Sequence, residues 1–241
     1  MWVGIAAFIA SMLIGVPIAF SLGVASLAFL LFQGNIPLTL IAQRLFTGLD
    51  VFPFMAVPFF ILAGELMNSA GITKRLVHFA DVLVGHFRGG LAHVNIVTSM
   101  FFAGITGSAV ADTSAIGSML IPTMNEKGYD NDFSCAVTVS SSVIGPIIPP
   151  SIPMVIYALI SGNSVAALFL AGFFPGVLLG FGLMLVTFII SKKRNYPKNE
   201  KAATIKEIAV AFIQSLVPLM MPLIILGGIL LGIFTATEAS G

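Results

Sequence analysis

The chain has 241 residues, of which 58% are hydrophobic and 9% are charged, and its mean hydropathy is +1.06. Because a soluble domain carries about 25% charged residues, this composition excludes an ordinary soluble protein and indicates an integral membrane protein. The net charge of +1 gives no indication of a nucleic-acid partner, because no basic cluster faces an aqueous domain large enough to hold one, and none is predicted. The single cysteine, Cys135, excludes a disulfide framework and a thiolate metal site.

Three segments without any charged side chain mark the membrane-spanning regions. They are residues 2–32, 133–191 and 208–237, and one span needs about 20 apolar residues. No segment alternates apolar and polar residues as a membrane β-strand does, so the fold class is an all-α polytopic membrane protein. In chain order we predict a first span within 2–32, a broken span at 133–160, a long span at 163–191 and a last span at 208–235.

The remaining segments before residue 90 and after residue 191 are more polar. We predict an interfacial helix at 36–48, a second span at about 50–68 and a basic linker at 192–207. Within 72–88, apolar residues recur at helical spacing opposite charged ones, which indicates an amphipathic helix lying in the membrane interface.

Small residues dominate the stretch 104–118, GITGSAVADTSAIGS, where eleven of fifteen positions are Gly, Ala, Ser or Thr. Because cytoplasmic loops collect Lys and Arg, the basic segments on both sides of this stretch should lie on one side of the membrane. The apolar segments that flank it, 94–105 and 115–124, are short for two spans. The sequence therefore predicts a re-entrant helical hairpin at 90–125, with loops 72–88, 126–132 and 192–207 in the cytoplasm.

Asp112 is the one carboxylate in the tip of this predicted hairpin. A charged group at membrane depth costs about 2.5 to 3.5 kcal/mol on insertion scales, so a function is the default hypothesis. The functional interpretation is a sodium or proton site. The structural one is a helix cap, because Asp112, Thr113 and Ser114 are all good capping residues, and the two interpretations are compatible.

A second break is predicted in SSSVIGPIIPPSIPMVIYALI, residues 140–160. Four prolines remove backbone donors and disfavour helix in the residues before them, so two half-helices should be joined by an extended link. A broken helix paired with a hairpin is typical of the substrate and ion site of a secondary transporter. The sequence contains no phosphate-binding loop and no nucleophile elbow, so neither an ATPase nor a serine hydrolase is supported and the chain is not predicted to be an enzyme.

Four stretches carry a resemblance to a known family. AVPFFILAGELMNSAGI, FFAGITGSAVADTSAIGSMLIPTM, SSSVIGPIIPPSIPMVIYALISG and GIFTATEASG resemble the large membrane subunit, of the M or DctM type, of tripartite ATP-independent periplasmic (TRAP) transporters. The resemblance implies a bacterial inner-membrane protein that imports an organic acid, such as sialic acid or a C4-dicarboxylate, with sodium as the coupling ion and no other cofactor. It also implies two partners, a periplasmic substrate-binding protein and a small four-helix membrane subunit (Q type).

The resemblance further implies an inverted-repeat, elevator-type architecture. Scaffold-like spans and the interfacial helix would occupy 1–89, and a transport-like region 90–162. The long span, basic linker and last span would occupy 163–235, and 236–241 would begin a second repeat that this chain does not contain. The sodium-site candidates are Thr106, Gly107, Ser108, Asp112, Thr113, Gly145 and Pro146, and the substrate-site candidates are Ser114, Ser141, Ser142, Pro149, Pro150 and Ser151.

Three other functions fit part of this pattern. A stand-alone sodium and anion symporter of the divalent-anion type would use the same hairpin, and an ion channel could use hairpin tips and carbonyl rings. In a purely structural membrane subunit, the breaks would serve only packing. Accumulation of an organic acid against its gradient separates a transporter from a channel.

Overall fold

Every regular element in the part of the chain that the structure describes is an α-helix. The computed structural model describes residues 2–34, 37, 39–50, 55–198, 202–235 and 238, and two of these residues, Arg88 and Lys198, form an isolated bridge. The all-α prediction is confirmed for these residues. The helices are α1 (Trp2–Leu13), α2 (Ile18–Gln33), α3 (Thr39–Leu49), α4 (Ala56–Ser69), α5 (Ile72–Val84), α6 (Gly90–Thr106), α7 (Ala109–Glu126), α8 (Asn131–Ser142), α9 (Ile152–Ser161), α10 (Val165–Lys193), α11 (Ile205–Gln214) and α12 (Leu216–Leu230).

Residues 1–51 form one compact unit, and residues 52–241 form a second. In the first unit the predicted single span within 2–32 is wrong, because α1 and α2 pack against each other as two short helices. A Cβ placed on Gly4 would lie 3.4 Å from the Ala25 carbonyl oxygen, so the helices run antiparallel. The turn between them contains Gly15, with φ +89, and Pro17. Glycine tolerates that φ and proline fixes its own, which ends α1 and starts α2. Helix α3 matches the helix predicted at 36–48, of which residues 36 and 38 lie outside the described residues.

In the second unit, α4 and α5 meet at a bend of 71°. Gly71 at the bend has φ +75, a conformation that other residues seldom adopt. Helix α5 buries Thr73, Leu76, Phe79 and Ala80, which recur at three- and four-residue spacing. The predicted amphipathic helix is therefore present, and its place at the membrane surface stays a prediction. Most of residues 50–54, the start of the predicted second span, lie outside the described residues.

The stretch predicted as a hairpin forms two helices, α6 and α7, broken at Gly107 and Ser108. Their far ends come back together, since Ala92 near the start of α6 and Tyr129 just after α7 pack in one buried hydrophobic cluster. Burial raises the pKa of the Tyr129 phenol to about 12. This stretch therefore forms two helices with a break between them, and the re-entrant hairpin at 90–125 stays a prediction.

Helix α10 has 29 residues and is the one helix in the described residues that is by itself long and apolar enough to cross a membrane. The number rises to three if the bent pairs α4 with α5 and α11 with α12 each count as one span. The last predicted span, 208–235, is wrong as a straight helix, because the chain bends by 62° between α11 and α12. Pro218 lacks the N–H that would bond the Gln214 carbonyl, which explains the break there.

Three loops meet at the end of the second unit where the hairpin closes. The Arg194 guanidinium donates to the Asp130 carboxylate at 2.6 Å, and the Tyr196 hydroxyl donates to the same carboxylate at 2.7 Å. The Gly89 N–H donates to the Pro197 carbonyl at 3.0 Å. These contacts join the ends of the three segments predicted to share one side of the membrane, as the hairpin threading requires. We call the group Asp130, Arg194 and Tyr196 the base cluster.

Candidate functional site

The two breaks in the helices touch each other. Gly107, between α6 and α7, has φ +57, and a Cβ placed on it would lie 2.8 Å from the Pro150 carbonyl oxygen and from Ser151 Cα. A Cβ placed on Gly145 would lie 3.3 Å from the Ser108 carbonyl carbon. Backbone therefore packs on backbone at both points, which only small residues permit. The hairpin tip and the proline-rich link form one structural unit.

The link between α8 and α9 is folded into turns, so the predicted extended link is wrong. The N–H of Gly145 bonds the Ser142 carbonyl at 3.0 Å, and the N–H groups of Ile147 and Ile148 bond Ile144 at 3.0 and 2.9 Å. A proline restricts only itself and the residue directly before it, so most residues between Ser142 and Pro149 remain free to turn. Tight turns bring the link close enough to pack on Gly107.

Serine residues start both outgoing half-helices. Ser108 caps α7 by accepting the Ala111 N–H at 3.4 Å, and Ser151 caps α9 by accepting the Met154 N–H at 3.4 Å. The structural interpretation of Asp112 as a helix cap is therefore wrong, because Ser108 fills that position. Asp112 lies in the first turn of α7, where the partial positive charge of a helix N-terminus favours an anionic side chain.

The Asp112 carboxylate is buried and bare. The residue is 0% exposed, and neither carboxylate oxygen has a hydrogen-bond partner among the described residues. The hydroxyls of Ser99 and Ser142 lie nearby, but Ser99 donates to the Ser141 hydroxyl at 3.0 Å and Ser142 donates to the Thr138 carbonyl at 2.8 Å. A buried acceptor without a partner loses its full hydration energy. A bound cation or proton would therefore stabilise this carboxylate.

A buried polar layer supports this site from the side of α6 and α8. Asn95 donates to the Thr138 hydroxyl at 2.7 Å, and the Ser141 hydroxyl donates to Asn95 Oδ1 at 3.1 Å. These residues are 0% exposed. The hydrogen bonds within this layer fix the rotamers of the serines near Asp112, so the oxygen atoms around the carboxylate are held in place.

The chemistry of these groups suits a hard cation. The hydroxyls of Thr98 and Thr106 are buried without a hydrogen-bond partner among the described residues, like the Asp112 carboxylate. Carboxylate, hydroxyl and carbonyl oxygens are the ligands that such cations use. Among the described residues no group of three or more His, Cys, Asp or Glu side chains is placed to hold a metal ion together.

A cavity of about 590 Å³ opens beside the hairpin tip. Its walls are one face of α4 and one face of α7, and Phe102, Thr106, Ser108 and Ile152 line it around the tip. Three predicted site residues line it, Thr106, Ser108 and Ser114. Asp112 is not among the lining residues, so the bare carboxylate lies behind the wall of the cavity.

The other predicted residues lie in the tip-and-link unit or behind it. Thr113 donates to the Ala109 carbonyl at 2.8 Å, so its hydroxyl is bound within its own helix, α7. Ser141 and Ser142 belong to the polar layer, and Ser151 donates to the Pro146 carbonyl at 2.6 Å. The structure thus groups the candidates, and their roles stay predictions. The candidates that do not line the cavity are Gly107, Asp112, Thr113, Ser141, Ser142, Gly145, Pro146, Pro149, Pro150 and Ser151.

Sequence reasoning missed several residues of the site. Glu65 and Asn68 line the cavity, and neither was among the predicted site residues. Asn95 and Ser99 complete the polar layer. Their spacing of four residues on α6 places both on one helix face, which was a usable signal. Nothing in the sequence showed that this face meets α8.

Comparison with known proteins identifies the family. The family model described as "Tripartite ATP-independent periplasmic transporter, DctM component" matches residues 5–241. The sialic acid TRAP transporter large permease protein of Vibrio cholerae is 45% identical over 94% of this chain and 53% of its own length. The isethionate TRAP transporter permease protein of Oleidesulfovibrio alaskensis is 43% identical over 95% of this chain and 36% of its own.

The C4-dicarboxylate TRAP transporter large permease protein of Rhodobacter capsulatus is 39% identical over 96% of this chain and 56% of its own length. The chain therefore spans about half, or less, of the curated relatives that it matches. The family match covers almost all 241 residues of the chain, and it agrees with the broken helices and the apolar composition. The chain belongs to the DctM family, the large permease component of the tripartite ATP-independent periplasmic transporters.

Proposed function

We propose that this chain is part of a sodium-coupled secondary transporter that imports an organic acid anion across the bacterial inner membrane. Helices α6 to α9 supply one sodium site and one wall of the substrate cavity. The face of α4 that lines the same cavity and a second, inverted repeat outside this chain supply the remainder of the site. The family membership and the apolar helices support the membrane location.

The observation that carries the proposal is the bare Asp112 carboxylate. It is fully buried and has no hydrogen-bond partner among the described residues, beside a cavity, at the point where two helix breaks meet. An unpaired buried charge is maintained only where it serves a function or is neutralised by an ion. Sodium bound next to Asp112 satisfies the carboxylate and holds the hairpin tip against the link.

Sodium also explains how an anion can occupy this part of the membrane. An isolated carboxylate substrate would pay a large desolvation penalty near the centre of a bilayer. A cation at the tip offsets that charge, and the N-terminus of α7 adds a weaker positive field. Anion and sodium therefore bind best together, which couples their movement.

The movement that we propose is of the elevator type. Helices α5 and α11 contact each other, with the rings of Phe79 and Phe212 5.9 Å apart and the Ser215 hydroxyl donating to the Arg75 carbonyl at 3.1 Å. Two bent helix pairs braced in this way suit a stationary frame. The hairpin and the broken helix, packed together through Gly107, suit a unit that slides as one body.

The names of the relatives support organic or sulfonic acids as the substrate class. Three relatives are named for transport of sialic acid, isethionate and C4-dicarboxylate. As in the family as a whole, we propose that a periplasmic binding protein delivers the acid and that a small four-helix membrane subunit (Q type) joins the permease.

Uptake in proteoliposomes tests the proposal. The full-length permease is reconstituted with both partner subunits, and radiolabelled sialic acid or succinate is supplied outside with sodium or choline as the external cation. We expect accumulation above the external concentration only with inward-directed sodium. Equal uptake in choline would contradict sodium coupling, and uptake that stops at the external concentration would indicate a channel.

A further inference from the structure

The cavity beside the hairpin tip has two polar residues on its α4 wall, Glu65 and Asn68, that the sodium site does not explain. On α4 the lining residues are Phe60, Ile61, Gly64, Glu65 and Asn68, and on α7 they are Val110, Ala111, Ser114, Ala115 and Ser118. Both sets repeat at helical spacing, so each is one continuous face of its helix. A Cβ on Gly64 would lie 3.2 Å from Thr106 Cγ2, which places Glu65 next to the level of the hairpin tip.

Glu65 makes this cavity unusual for an anion. Among the described residues that line it, Glu65 carries the one ionisable side chain. A carboxylate repels a second carboxylate and offers only acceptor oxygens. The group of a substrate that approaches Glu65 must therefore be a hydrogen-bond donor or a cation.

Asn68, one turn further along α4, supplies the opposite capacity. The buried Thr73 hydroxyl donates to Asn68 Oδ1 at 2.8 Å. That bond engages the carbonyl oxygen of the amide and leaves its two N–H donors for the cavity. An amide donor thus stands beside a carboxylate acceptor on one helix face.

A hydroxyl group donates one hydrogen bond and accepts others, so neighbouring hydroxyls match a paired acceptor and donor. Ser114 and Ser118 on the facing wall add two more hydroxyls, and Ser118 keeps its acceptor capacity because it donates to the Ala115 carbonyl at 3.1 Å. The volume of about 590 Å³ has room for a sugar acid.

We propose that Glu65 and Asn68 form a hydroxyl-recognition subsite and that the imported acid is a polyhydroxylated monoanion. The inference rests on the proposed transport function and narrows its substrate class. Hydroxyl groups of the acid bind along α4, while its single carboxylate stays near the hairpin tip. A dicarboxylate is disfavoured, because its second carboxylate would approach Glu65.

Two substitutions of nearly equal size test the subsite in the full-length permease with its partner subunits. Glu65→Gln removes the charge. Asn68→Asp keeps an acceptor for Thr73 but removes the amide donors. Glu126→Gln at the end of α7 and Asn163→Asp after α9 are matched controls that do not line the cavity. Half-saturation concentrations are measured by competition in sodium for sialic acid, gluconate and succinate.

We expect each cavity variant to raise the half-saturation concentration for sialic acid and gluconate by about tenfold. Glu65→Gln should also lower the value for succinate, and both controls should match the wild type. The subsite is wrong if both cavity variants leave the two hydroxylated acids within twofold of the wild type. It is also wrong if the wild type prefers succinate or accepts neither hydroxylated acid.

The sodium dependence of the wild type in the same vesicles separates this inference from the proposed function. If uptake does not depend on sodium, the coupling proposal fails, whatever the ratios of the half-saturation concentrations are. If sodium dependence holds while the selectivity ratios do not change, only the subsite fails.

Discussion

The two ends of the hairpin formed by α6 and α7 treat a carboxylate in opposite ways. At the tip, Asp112 is 0% exposed and has no hydrogen-bond partner among the described residues. At the base, the side chain of Asp130 is 55% exposed and is bound by both Arg194 and Tyr196. The Asp130 carboxylate, which water can solvate, is paired. The Asp112 carboxylate, which water cannot reach, has no partner among the described residues.

This difference separates a structural carboxylate from a functional one. A partly exposed ion pair contributes little to stability, and the base cluster serves mainly to join loops. A buried carboxylate without a partner opposes folding, because its desolvation is uncompensated. The tip is therefore the place where binding of an ion has most to gain, and the following experiments test that contrast.

Asp112→Asn should have the largest effect. The amide has nearly the shape of the carboxylate but no charge, so an ion at the tip loses its charged ligand, a change worth about 2 to 5 kcal/mol. We expect sodium-driven uptake to fall by about 100-fold or more. The permease without sodium should become more stable by about 1 kcal/mol, since a buried unpaired charge is gone.

Thermal unfolding of the detergent-purified permease in sodium and in choline measures the second effect. Sodium at 100 times its dissociation constant should stabilise the wild type by about 2.7 kcal/mol and the Asp112→Asn variant not at all. Asp81→Asn on α5, which lies outside the cavity lining, is the control and should keep the full sodium response. A variant with a normal sodium response would place the ion elsewhere.

Much of the fold followed from sequence patterns, and the failures have local causes. The charge-free run 163–191 and the four prolines of 140–160 predicted α10 and the break between α8 and α9, because length and lost backbone donors act locally. The run 2–32 was misjudged, since a single glycine at φ +89 divides it, and composition alone does not reveal a φ angle.

The candidate site was predictable only in part, for a different reason. Asp112 stood out because a charge at membrane depth is rare, and the glycines stood out as breaks. Asn68 and Glu65 did not, because their role depends on α4 packing against Thr106 at a sequence distance of about 40 residues. Contacts of that range depend on side-chain fit between helices, which periodicity does not encode.

Gly107→Ala should have the next largest effect. The new Cβ would lie 2.8 Å from the Pro150 carbonyl oxygen in a backbone with φ +57, so the tip and the link must separate. Gly162→Ala is the matched control, since Gly162 also follows a helix at φ +69 but has nothing within 4 Å of the new Cβ.

In both glycine variants the alanine adopts a left-handed backbone conformation, which should lower the free energy of unfolding by about 1 to 2 kcal/mol. Only Gly107→Ala should lose a further 1 to 3 kcal/mol or so from overpacking, together with the sodium response in thermal unfolding. Equal destabilisation by the two variants would show that contact between the tip and the link contributes nothing to ion binding.

Asp130→Asn at the base should have the smallest effect, and its effect should depend on pH. Hydrogen bonds from Tyr196 and Arg194 lower the pKa of Asp130 from its ordinary value of 3.8. A lowered pKa in the folded state stabilises the protein above the unfolded-state pKa, and this contribution is lost as the pH falls through the folded-state value. The stability difference between wild type and variant should therefore be constant near neutral pH and shrink below about pH 4.

Thermal unfolding from pH 7 to pH 3 measures this difference, and high salt should reduce it because the pair is exposed. Sodium-driven uptake at pH 7 should match the wild type, since the base cluster holds loops and binds no ion. A loss of sodium dependence in Asp130→Asn as large as that in Asp112→Asn would contradict the contrast between the two ends of the hairpin. The charge at the base would then be part of the transport path, and its pairing with Arg194 would be one state of a switch.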